Sequence, residues 1–129
     1  MRSRVRMLAV VLVAGGAVSG GCKSGGTTTP SPPPNPATTI TITSAGASPR
    51  NLTVSRGSQV TFVNNDSSPH QMNSDPHPTH GDCVELDQVG FLSPGQSRTS
   101  GNLNTARTCG YHDHTNNTNT SLQGTITIQ

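Results

Sequence analysis

Beginning at Thr39 the chain alternates polar and β-branched apolar residues, Thr39-Ile40-Thr41-Ile42-Thr43, the pattern of a strand with one buried face. Asn51-Leu52-Thr53-Val54 repeats it, Arg56-Gly57-Ser58 turns the chain, and Gln59-Val60-Thr61-Phe62-Val63-Asn64-Asn65 gives a third strand. The final stretch, Gly124-Thr125-Ile126-Thr127-Ile128-Gln129, alternates again. No segment carries a sustained helical stripe with caps, so the pattern predicts an all-β domain, a sandwich of short strands. Residues 67–88 are polar and rich in Pro and His. They read as one long ordered loop, and a loop of that length in a compact domain is functional or disordered. Residues 115–120 (TNNTNT) read as a second polar loop.

The N-terminal third has a different character. Arg2, Arg4 and Arg6 precede an apolar run from Met7 to Val18, which leads into Ser19-Gly20-Gly21-Cys22. That is the layout of an export signal, and the run is too short to span a bilayer. A cysteine directly after small residues resembles the lipobox of bacterial lipoproteins. Residues 1–22 are therefore expected to be a lipoprotein-type signal peptide, with Cys22 the lipidated residue, although Ser19 stands where such motifs usually carry Leu. Residues 23–37 (Gly, Thr, Ser and Pro) have nothing to bury and read as a tether. Residues 38–129 form one small domain. The expected setting is an exported, membrane-anchored protein facing the periplasm or the cell exterior.

Charge narrows the class further. The whole chain carries eight basic and six acidic residues, and three of the basic ones lie in the leader. Lys23, Arg50, Arg56, Arg98 and Arg107 remain, without a cluster. Nucleic-acid binding, which relies on neutralising phosphates, is not expected. With one tyrosine and no tryptophan there is no stacking platform for single strands either. Gly-x-Ser-x-Gly, His-Glu-x-x-His and phosphate-cradling glycine spacings are all missing from the sequence, and the chain is not expected to be an enzyme.

All five histidines fall in two groups, His70/His77/His80 and His112/His114, each accompanied by a cysteine, Cys83 and Cys109. Imidazole and thiolate suit copper and zinc, and two groups far apart in sequence meet readily on adjacent strands. His112 and His114, two apart, point to one side of a strand. Met72 adds a thioether near His70, more simply explained by packing.

Three further stretches share an order with one known family. Residues 52–66 (LTVSRGSQVTFVNND) match the pattern hxVxxGxxVxFxNxD with a histidine soon after, Leu92-Ser93-Pro94-Gly95-Gln96-Ser97 matches LxPGxS, and residues 122–128 (LQGTITI) match MxGxIxV with Leu122 at the methionine. In this order the elements resemble the cupredoxins, the small copper proteins that include plastocyanin and azurin, across residues 38–129. The resemblance implies a Greek-key β-sandwich, one copper ion, one-electron transfer and a redox partner protein. It places a ligand at His70.

For the remaining ligands two alignments stand open. In one, Cys109 is the copper thiolate and His112 or His114 the second imidazole. In the other, Cys109 and Tyr111 take inward positions and Asp113 stands where the copper cysteine belongs. The second alignment leaves Cys109 free to pair with Cys83, as cysteines in an oxidising compartment tend to do. Such a bridge would close a loop of about 25 residues and contribute about 3 kcal/mol in the loop-entropy account. The metal candidates are thus His70, Cys109, His112 and His114, with His77, His80 and Asp113 in reserve, and the disulfide candidates are Cys83 and Cys109. A bridged Cys109 points away from a blue site and towards binding or delivery of copper or zinc. The competing expectation is a metal-free structural or interaction module with the same fold and the same disulfide.

Overall fold

A computed structural model describes residues 38–129; the signal, Cys22 and tether expectations lie outside the described residues. Nine strands form two sheets. They are β1 (Thr39–Thr43), β2 (Gly46–Ser48), β3 (Asn51–Val54), β4 (Thr61–Asn64), β5 (His70–Ser74), β6 (Gly90–Leu92), β7 (Ser97–Thr99), β8 (Arg107–Asp113) and β9 (Gly124–Ile128). One sheet runs β2-β1-β4-β7 and the other β3-β9-β8-β5-β6. The β1–β4 and β3–β9 pairs are parallel and the rest antiparallel. The strands are joined in part by short 3-10 turns, among them Leu86–Gln88, His114–Asn116 and Thr120–Leu122.

Alternation along the strands builds the core. Ile40, Ile42 and Phe62 from one sheet meet Met72, Cys109, Tyr111 and Ile126 from the other, all of them buried. Phe62 and Tyr111 lock edge to face with ring centroids 5.3 Å apart, a favoured aromatic geometry. The Tyr111 hydroxyl donates to the Arg50 carbonyl (3.1 Å). Burial pushes its phenol up to about 12, against a downward pull from Arg50. Gly124 is required where the same hydroxyl and the Arg50 carbonyl crowd β9, because a side chain there would collide with both.

The expected single loop over residues 67–88 is corrected by the structure: its first part is strand β5, hydrogen-bonded between β6 and β8. His70-Gln71-Met72-Asn73-Ser74 shows no alternation because both its faces are covered. Met72 enters the core, while Asn73 and Ser74 are buried beneath the following segment. Asp87 receives Asn73 Nδ2 (3.2 Å) and the Ser74 amide (2.8 Å), satisfying the polar groups this burial encloses. The expected loop at residues 115–120 contains parts of two of the 3-10 turns, capped by the side chains of Asp113 and Asn119.

Candidate metal centre

Strand β8 presents side chains to both sides of its sheet, and the histidines divide accordingly. On the inner side His70, at the start of β5, places Nδ1 2.8 Å from Asp113 Oδ2 and Nε2 3.2 Å from Asp66 Oδ2. Asp113 Oδ1 accepts from the Gln71 amide (3.1 Å) and from the Thr115 amide (3.0 Å) and hydroxyl (2.8 Å). Burial alone would raise the Asp113 carboxyl. The hydrogen bonds from His70, Gln71 and Thr115 outweigh it and hold the group below the ordinary carboxylate value. A polar cavity of about 310 Å³ adjoins this trio, with Leu122 on its wall. Every nitrogen and oxygen of the His70 and Asp113 side chains has a protein partner.

Cys109, on the same inward parity of β8, is bonded to Cys83. The expectation of a Cys109 thiolate is therefore corrected: a disulfide sulfur has no thiolate to offer a metal, and Cys109 and Tyr111 are both buried in the core, as the second alignment expects of them.

On the outer side the geometry is the reverse. The segment after β5 folds back over β8 and brings His77 and His80 to His112 and His114, with one ligand atom of each within 4.8 Å of the others. His114 Nδ1 lies 3.0 Å from His80 Nε2, and the His77 ring sits 4.8 Å from that of His114. His112 is 2 % exposed, and its Nδ1 faces Asp75 Oδ1 at 2.7 Å. Its Nε2 is buried with no hydrogen-bond partner. An orphaned buried nitrogen is rare in proteins, and this one belongs to the histidine set that converges on a common point. Desolvation lowers the His80 pKa, with help from the three neighbouring imidazoles and against Asp87, which favours the neutral, ligand-competent ring. His80 also holds a left-handed backbone, φ 50°, the kind of local strain that collects at functional positions.

Gly110 admits this arrangement. A side chain at that position would collide with the Asp75 carboxylate, and Asp75 must lie against β8 to reach His112. Asp75 and Asp66 were not among the sequence candidates. Asp75 stands two residues before His77, and only the fold shows which histidine it serves.

Several solved structures superpose on this chain. A purple cupredoxin from Nitrosopumilus maritimus superposes at TM-score 0.54 with 23% identity, covering 70% of this chain and 98% of its own. Plastocyanin from Dryopteris crassirhizoma gives TM-score 0.55 and 21% identity, covering 70% and 99%. The chain has the cupredoxin fold. The Cu(I) form of an amicyanin mutant agrees at TM-score 0.57 and 19% identity over 76% of this chain and 87% of that one. No family model matches the sequence. No curated protein matches it either.

Within the cupredoxin fold, the position where the sequence resemblance puts copper is thus held by His70, Asp113 and Leu122. Those residues do not fit the ion: the imidazole and the carboxylate are spent on each other and on their neighbours, and Leu122 has no donor atom. The outer four histidines do fit it. Imidazole nitrogens suit copper and zinc, the donors converge, and Asp75 orients one of them from behind.

Proposed function

We propose that this protein is an exported, lipid-anchored copper-binding protein that holds one ion on the outer face of its cupredoxin fold. His77, His80, His112 and His114 are the ligands. The observation that carries this reading is that a nitrogen of each of those four imidazoles lies within 4.8 Å of the others, while the buried Nε2 of His112 has no hydrogen-bond partner. Bound copper would supply one-electron chemistry between Cu(I) and Cu(II).

The rest is the work of the chain. Asp75 holds the His112 ring through Nδ1 and leaves Nε2 as the nitrogen available to an ion. Desolvation pulls the His80 pKa down, which favours the neutral ring. His77 is exposed and His80 and His114 are half-buried, which leaves one side of the set open to solvent and to exchange with another ligand. With Cys109 in a disulfide no thiolate tunes the site, so binding and delivery of copper fit it better than fast outer-sphere electron transfer.

The test is copper content after loading with Cu(II) and removing excess ion, read by mass spectrometry and by paramagnetic resonance. The expected result is one copper per chain with nitrogen coupling and no intense blue band. His112→Ala loses the ion and His70→Ala keeps it. Loss in His70→Ala with retention in His112→Ala would return the site to the inner side, and an apo wild-type protein would leave a metal-free interaction module.

A further inference from the structure

The segment that brings His77 and His80 to the site is held by a few hydrogen bonds: the His80 amide donates to the Pro76 carbonyl (2.8 Å), the Asp82 amide to the Asp75 carbonyl (2.8 Å) and the Ser74 hydroxyl to the His80 carbonyl (2.9 Å). From Pro76 to Asp82 no residue is buried, so the segment adds nothing to the hydrophobic core. At one end Asp75 is held by its amide to the Gly110 carbonyl (3.1 Å) and by its carboxylate to His112. At the other, Asp82 accepts from the Gly110 amide (2.9 Å), and Cys83 is fully buried and bonded to Cys109. Cys83 follows His80 by three residues and Cys109 precedes His112 by three. Of the ties between the segment and β8, the disulfide alone is covalent.

We propose that the Cys83–Cys109 disulfide is the positioning element of the four-histidine site, and that the disulfide and the bound ion strengthen each other. This rests on the metal reading above and adds a redox dependence to it. With the bridge intact, two ligands on the loop and two at the end of β8 are already gathered, so the ion does not have to order them. With the bridge open, seven unburied residues lose their covalent anchor and the ion must supply part of that ordering itself. Linkage is reciprocal: whatever factor the disulfide adds to metal affinity, the metal adds to the resistance of the disulfide. Reducing conditions would then release the ion.

The experiment uses the full chain and Zn(II) as a probe that takes imidazole ligands without redox chemistry. Affinity is measured by competition with a chelating dye for the wild type, for Cys83→Ala/Cys109→Ala and for His112→Ala, with the near-ultraviolet dichroism of Tyr111 reporting the fold. The double variant, folded, is expected to bind at least about 10-fold more weakly, within the span usual for linked sites. A folded double variant with wild-type affinity overturns the proposal.

Should that variant not fold, the reciprocal measurement decides on the wild type alone. In a glutathione redox buffer two glutathione thiols pass two electrons and two protons to the S–S bond, becoming one glutathione disulfide as the protein gains two thiols. Saturating Zn(II) is expected to shift this equilibrium about 10-fold towards the bridged protein in the wild type and not in His112→Ala. An unchanged wild-type equilibrium overturns the coupling even where zinc binds. A wild type that takes up no zinc overturns the four-histidine reading itself, a distinct result.

Discussion

His70 and His112 lie on neighbouring strands of one sheet, and both are almost wholly buried, 5 % and 2 % exposed. His70 faces a carboxylate with each ring nitrogen, whereas His112 faces one carboxylate and leaves its other nitrogen bare among three more imidazoles. The first arrangement is complete without a ligand. The second leaves one buried nitrogen unsatisfied. The proposed metal site therefore rests on the polar atom that lacks a partner, and the position at which the sequence resemblance places a ligand, His70, is already satisfied within the protein.

The contrast is broken most sharply by removing each ring. His112→Ala or His80→Ala takes away a ligand, and copper affinity should fall by more than about 100-fold, since even residues behind a metal ligand are worth 10–100-fold; stoichiometry after desalting reads this directly. His70→Ala should leave copper affinity unchanged and instead destabilise the fold by about 3 kcal/mol, because it strands the buried Asp113 carboxylate without its main partner; chemical denaturation of the apo protein reads that. The reverse pattern would exchange the roles of the two sides.

Asp75→Ala comes next, with an expected loss of about 10-fold to 100-fold in copper affinity and little change in the inner network, measured by the same competition titration. Titration sharpens the inner side. The Asp113 carboxyl is held below its ordinary value of 3.8, so its contribution to stability is complete above that value and lost as pH falls through its folded-state pKa. Apo His70→Ala should show less of that acid dependence than the wild type. At the other extreme Tyr111 is raised from 10.0 to about 12. Its contribution is whole below pH 10 and lost as pH rises towards 12, by about 2 kcal/mol, and tyrosinate absorbance should follow unfolding. The smallest effect belongs to Leu122→Met, which restores the thioether the resemblance leads one to expect. With Cys109 bridged and His70 occupied, no blue band should appear on adding Cu(II).

Where burial is one-sided, the strands were legible as sequence. β1, β3, β4 and β9 alternate because one face of each meets the core, and their expected spans match to within a few residues. Strand β5 was not legible, since a strand covered on both faces by polar partners carries no period-two signal. The site divided along the same line. Clustering showed that histidines would gather, but which side they gather on follows from strand parity. Cys109, Tyr111 and Asp113 point inward, so His112 points out, and His77 and His80 reach it only because the segment after β5 doubles back. The carboxylate behind His112 was invisible for the same reason: Asp75 meets it across a contact 37 residues long in sequence.

The second sheet closes by pairing β3 with β9 side by side in the same direction, and Thr125 Oγ1 donates to Asn51 across 74 residues of chain. Nearly the whole domain must be looped out before that ladder can form, and such long closures lose much chain freedom before any contact repays it. Assembly should therefore be slow, in the millisecond-to-second regime of β-sandwiches. Until β9 docks, β8 lacks one of its two neighbours and exposes an open edge that invites association with other chains. Crowded, concentrated expression is where this molecule is most exposed to error.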